Sequence, residues 1–147
     1  MRNLLLIIFF FSSPVFSCRF PISDHIIYTP EKYLDKHDLV VYAKLIRFIK
    51  ITKEQQIAEF SISKIFKGSE VYSVIVHNYL RNSCSSALMG TNANYYLFLS
   101  KDNSANNYFI DSGTFVQVQN ENAHQLNTKL SSHSKTFKSK VEPMGAP

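Results

Sequence analysis

Asp38-Leu39-Val40-Val41-Tyr42-Ala43-Lys44-Leu45-Ile46-Arg47-Phe48-Ile49-Lys50-Ile51 (DLVVYAKLIRFIKI) is the stretch that decides how the rest of the chain is read. Leu39, Val41, Ala43, Leu45, Ile49 and Ile51 fall on one alternating face, which is the period of a strand and not of a helix. Val40, Tyr42, Ile46 and Phe48 fall on the other. A strand apolar on both faces is expected to be covered on both sides over part of its length.

Working downstream, Thr52 to Gln56 (TKEQQ) is a polar turn, and Ile57 to Lys67 alternates again. Ala58, Phe60 and Ile62 point in, and Glu59, Ser61 and Ser63 point out. The slip at Ile65-Phe66 marks a bulge or strand end before a turn at Lys67-Gly68. Three more strands are expected at Val71–Tyr79, Asn94–Ser100 and Tyr108–Val118, the last interrupted at Ser112-Gly113. A polar, small-residue loop, Arg81 to Thr91, lies between two of them. Upstream, Thr29-Pro30-Glu31 pairs a capping residue with proline at a first helical position, predicting a helix over 30–37. Pro21 argues for an extended segment from Cys18 to Thr29. Asn120 opens a second helix, Glu121 to about Leu130, with Ala123, Leu126 and Leu130 at helical spacing. The fold class is therefore mainly β. Five strands with a short helix near each end fit a small barrel better than a sandwich, which usually needs about seven strands.

The N-terminus has the features of an export signal. Arg2 supplies the positive start, Leu4 to Phe11 (LLLIIFFF) is unbroken and apolar, and Val15 and Ser17 suit a peptidase cutting before Cys18. As a helix the run covers about 12 Å, short of the ~30 Å hydrocarbon core, so a membrane anchor is not expected. The expected organisation is a signal peptide over 1–17, one domain over 18–130, and a flexible basic tail over 131–147, with the product secreted or periplasmic. The formal charge of +5 includes Arg2. Much of the remainder sits in the tail, where Lys129, Lys135, Lys138 and Lys140 face Glu142. The basic balance is thus weak evidence for nucleic acid or anionic lipid, and no nucleic-acid partner is expected.

Catalytic chemistry finds little footing. His25, His37, His77, His124 and His133 show no metal-ligand spacing. Ser83, Ser85 and Ser86 lack a nucleophile elbow. Asp35, Asp38 and Asp111 have no identifiable carboxylate partner, and four glycines make no phosphate loop. Neither catalytic residues nor a cofactor are expected. Tyr72, Tyr79, Tyr95, Tyr96 and Tyr108 serve equally as barrel packing or as a partner surface. The two cysteines, Cys18 and Cys84, suggest a bridge in an exported protein, closing a loop worth about 4 kcal/mol on the chain-entropy account. The competing reading makes Cys18 a lipidation site.

The order of these features resembles the netrin-like domain, the OB-type barrel of tissue inhibitors of metalloproteinases and of small bacterial exported relatives. Four stretches carry it: Cys18 at the mature N-terminus; Asp38 to Lys44 opening a long strand; Phe66-Lys67-Gly68 followed by Val74-Ile75-Val76; and Cys84, Gly90 and Tyr96-Leu97-Phe98. The resemblance implies a five-stranded OB-type barrel, a Cys18–Cys84 disulfide, and action by protein contact. In the inhibitors the α-amino group and carbonyl of the N-terminal cysteine chelate a partner protease's zinc, and the next side chain enters its pocket. Carried over, Cys18 is the chelator and Cys18, Arg19 and Phe20 form the partner-binding end. Two departures weaken full inhibitor function. Arg19 is long and charged where a small residue is usual, and a second cysteine pair is replaced by Phe20 and Ser112. The alternative is a lipid-anchored or periplasmic envelope protein without inhibitory activity.

Overall fold

The computed structural model describes residues 22–81, 85–102, 107–118 and 122–141. Five strands, β1 (Leu39–Ile51), β2 (Gln55–Lys67), β3 (Ser73–Tyr79), β4 (Asn94–Lys101) and β5 (Tyr108–Gln117), close into a barrel in the order β1-β2-β3-β5-β4. β3 and β5 run parallel and the other neighbours antiparallel. This is an OB-type barrel, with three helices outside it: α1 (Ile22–Tyr28), α2 (Pro30–Lys36) and α3 (Asn122–Val141).

The double apolar character of β1 has a direct cause. Leu39, Val41, Ala43 and Leu45 face the barrel interior with Phe60, Val76, Tyr95 and Leu97. Val40 faces outward into a second cluster, where Ile26 and Ile27 of α1 and Leu126 and Leu130 of α3 cover Phe98 and Val116. Inside the barrel, Tyr95 stands edge-on to both Phe60 and Phe115, with ring centroids 5.7 and 5.8 Å apart. A barrel leaves few unpaired edges but still has an apolar outer wall, and the helices exist to cover it.

Three expectations are corrected at element level. The segment before Thr29 is helical from Ile22 and not extended, because a proline restricts its own position and the one before it, leaving the following residues free. Thr29 does not cap α2 with its side chain; its hydroxyl donates to His25 O (3.0 Å) at the end of α1. The last helix does not stop near Leu130 but continues to Val141, through much of the segment expected as a tail. Lys64 Nζ donates to Asn127 Oδ1 (3.3 Å) and Ser131 Oγ (2.8 Å), and His133 Nε2 lies 3.3 Å from Glu31 Oε1, so polar contacts carry the helix past its last buried leucine.

The distal half of β1 also departs from simple alternation. Register shifts at Leu45/Arg47 and Phe48/Lys50 insert extra residues against β2. Each bulge moves the following side chains to the opposite face. Phe48 therefore packs against the interior and Ile49, expected inside, is 49% exposed. The second shift restores the original phase, and Ile51, also expected inside, is 62% exposed as the last residue of the strand. In β5 the expected interruption at Ser112-Gly113 is a bulge within one strand: Gly113 has φ +81°, and Thr114 Oγ1 donates to Phe98 O (3.0 Å) beside the shift.

The stretches that carry the family resemblance have structural duties. Asp38 Oδ2 accepts from Lys101 N (2.8 Å), fastening the start of β1 to the end of β4. Gly68 has φ +105°, and a Cβ there would lie 2.7 Å from Leu39 Cδ1 and 2.9 Å from Asp38 O. Only glycine fits so close a backbone approach. The Phe66-Lys67-Gly68 turn and the Asp38 strand are thus two sides of one contact.

Candidate functional site

The expected partner-binding residues Cys18, Arg19 and Phe20, and Cys84 with them, lie outside the described residues. The structure describes the surroundings into which they lead. α1 begins shortly after Cys18, and Ile26 and Ile27 bury its inner face. Its last carbonyls are held: Thr29 N donates to His25 O (2.9 Å), and Lys129 Nζ reaches Ile27 O (3.1 Å) and Tyr28 O (3.2 Å). A cation at a helix C-terminus is favourable, and this one fastens α1 to α3.

The loop after Cys84 is equally fixed. Leu88 inserts into the barrel interior with 2% exposure. Gln56 Oε1 accepts from Leu88 N (2.7 Å) and Gln56 Nε2 donates to Leu88 O (3.1 Å). Asn78 Nδ2 donates to Gln56 Oε1 (3.1 Å) and to Ser86 O (2.9 Å). The Tyr95 hydroxyl accepts from Met89 N (3.0 Å) and donates to Met89 O, which Gln117 Nε2 also approaches at 3.2 Å. Burial raises the Tyr95 hydroxyl above its ordinary pKa, the Met89 bond opposing, so it stays protonated and able to donate. Gln56 and Asn78 continue the inward phases of Ala58-Phe60 and Val74-Val76. Their alternation is the sequence signal for this clamp; taken singly, neither Gln56 nor Asn78 marks a site.

α1 and the clamped loop border one cleft. Ser23, Asp24 and Ile27 of α1, Ser86 of the loop, and Gly113, Phe115, Val116 and Gln117 of β5 line one cleft of about 190 Å³. A larger groove of about 850 Å³ follows the second half of β2, with Tyr72 on its rim. Lys64 and Lys67 line it, but Lys64 is held by α3 and Lys67 Nζ donates to Leu34 O (2.7 Å). The cations of that groove are therefore occupied in fastening helices.

The histidines separate by environment. His37 is buried, donates from Nδ1 to Tyr33 O (2.7 Å), stacks on Tyr33 and meets Phe98 edge-on. Desolvation lowers its pKa, outweighing the Tyr33 hydrogen bond. His77 lies on the outer face with Nδ1 3.0 Å from Gln55 Nε2. Among the described residues no group of three or more His, Cys, Asp or Glu could hold a metal ion, and no helix is long and apolar enough to cross a membrane. Of Tyr72, Tyr79, Tyr95, Tyr96 and Tyr108, Tyr95 and Tyr96 are buried and Tyr72 is 90% exposed. Burial, with Tyr42 alongside, pushes the Tyr96 hydroxyl up to about 12.

The fold and the clamped corner define the class: an OB-type barrel whose loop after the third strand is locked into its own core. No protein-family model matches this chain, and no curated protein matches it.

Proposed function

We propose that this chain is an exported, netrin-like binding domain that acts through protein contact, presenting the Cys18 end to the catalytic zinc of a metalloprotease. One observation carries the reading: Ser23 and Ser86, a few residues beyond Cys18 and Cys84 respectively, line the same cleft. Extended chain reaches about 3.3–3.6 Å per residue, so both cysteines are within range of a common point. A Cys18–Cys84 bridge would join an N-terminus anchored through α1 to a loop anchored through Gln56, Asn78 and Tyr95. A rigid amine and carbonyl could then fill the open position of a three-ligand zinc site without losing freedom on binding. Arg19 would be the side chain offered to the pocket, which favours a protease with an acidic or deep one.

The test is the intact mass and peptide map of the non-reduced product, followed by inhibition of a zinc metalloprotease. A free amine on Cys18, a linked Cys18–Cys84 peptide, and inhibition lost when one residue is added ahead of Cys18 are expected. A lipid on Cys18 would instead make the chain an anchored envelope domain. Unlinked cysteines or unaltered inhibition by the extended protein would remove the zinc-directed mechanism.

A further inference from the structure

β1, at 13 residues, matches its neighbour β2 but outruns its other neighbour β4, at 8. It pairs with β4 from Leu39 to Lys44, and two further backbone bonds, Leu45 N to Ala93 O (2.9 Å) and Asn92 N to Leu45 O (2.8 Å), close that side. Asn92 then takes φ +66° and the chain turns away. From Ile46 to Ile51 only β2 pairs with β1, so among the described residues the other edge is open. Its side chains are unusual for an open edge. Ile46, Ile49 and Ile51 are all exposed, and Lys44, Arg47, Lys50 and Lys53 recur along the same strand and turn without an acidic residue between them. Glu59 engages Arg47 at 2.6 Å, while Lys44, Lys50 and Lys53 carry no ion pair among the described residues.

We propose that the open edge of β1 over Ile46–Ile51 is a docking site for an extended, acidic segment of a partner protein, which adds to the barrel as a further strand. The unpaired backbone groups ask for a polypeptide, since hydrocarbon offers them no hydrogen-bond partner; this disfavours a bilayer. The cations disfavour a second copy. Pairing this edge antiparallel with itself, centred on Phe48-Ile49, sets Arg47 opposite Lys50 and Lys44 opposite Lys53, like charge against like. Lysines on open edges ordinarily guard against self-pairing. The same charges attract a strand with carboxylates in the facing positions, and the exposed isoleucines supply apolar contacts alongside. The site lies on β1 and is independent of the Cys18 end.

The experiment adds an alternating glutamate–valine peptide of about eight residues, a common strand length, to the full chain. Amide hydrogen exchange and peptide anisotropy are then read. Slowed exchange confined to 46–51 is expected, with affinity falling about tenfold in Lys50→Glu/Lys53→Glu, a surface variant whose fold is checked by circular dichroism. Backbone N-methylation of the peptide, which removes its donors, is expected to abolish binding. Unchanged exchange at 46–51, equal binding by the N-methylated peptide, or equal affinity of the charge-reversed variant would overturn the proposal. So would protection of these amides by phosphatidylglycerol vesicles alone, or by self-association of the peptide-free chain in sedimentation.

Discussion

Gln56 binds both backbone groups of Leu88, accepting from its N–H at 2.7 Å and donating to its C=O at 3.1 Å. One amide side chain thereby takes the place of a neighbouring strand for a loop that enters the barrel interior. Because the pair is buried, either group left alone would be without water as well as without a partner.

Gln56→Leu keeps the volume near constant and removes both bonds, along with the acceptor used by Asn78. The expected loss is about 3 kcal/mol, from buried groups left unsatisfied. A lower urea midpoint at unchanged slope is the measurement, together with faster amide exchange in 85–93.

Gly68→Ala meets two obstacles at once: a left-handed backbone, and a Cβ 2.7 Å from Leu39 Cδ1 and 2.9 Å from the Asp38 carbonyl oxygen. Since the second neighbour is backbone, it yields only by moving β1. A loss of about 2 kcal/mol or more is expected in chemical denaturation. Wild-type stability in this variant would mean that the 68–72 turn rearranges freely.

Leu130→Ala tests whether the last helix belongs to the fold. Leu126 and Leu130 are completely buried against the outer wall of the barrel. Emptying one such site typically costs about 2–5 kcal/mol. The variant is expected to unfold at a lower temperature in a single transition; an unchanged melting temperature would make α3 an appendage.

His37 sets an acid limit. Its folded pKa lies below the ordinary 6.5, chiefly through desolvation, while Asp111 and Asp38 raise it and Lys67 lowers it further. Above 6.5 the ring is neutral in both states and its contribution is complete. As pH falls below 6.5 the unfolded chain takes up a proton that the folded chain resists, so stability declines until the folded value is passed. His37→Phe is expected to lose about 1 kcal/mol at neutral pH with the Tyr33 hydrogen bond, and to show a shallower decline on the acid side. Denaturation midpoints across that range would show an unchanged slope if another group were responsible.

Much of the barrel was legible in the sequence because strand signals are local. Alternation in 57–62 and 74–76, the glycine ending Phe66-Lys67-Gly68, and the Asn94–Ser100 run each report their own backbone. The phase of β1 just beyond Leu45 was not legible: Phe48 reads as outward and Ile49 as interior by strict alternation, and only the bulges opposite β2 exchange them, while Ile51 is exposed because the strand ends there. The first helix is hidden from a local reading because Pro21 looks like a breaker, while the burial of Ile26 and Ile27 in one cluster with distant Phe98 and Val116 favours the helix at Ile22–Tyr28. At the candidate site the sequence singled out the loop containing Cys84. It did not reveal the clamp on that loop, because Gln56 and Leu88 meet only when the barrel closes.

By itself the sequence determined a mainly β domain of five strands and where most of its turns fall, since hydrophobic period and glycine placement act within a few residues. Tertiary structure alone decided the parallel contact of β3 with β5, the docking of α1 and α3 on the outer wall, and the open edge at Ile46–Ile51. Those features depend on which distant groups satisfy each other's backbone and exclude water together, a balance that no local window of residues contains.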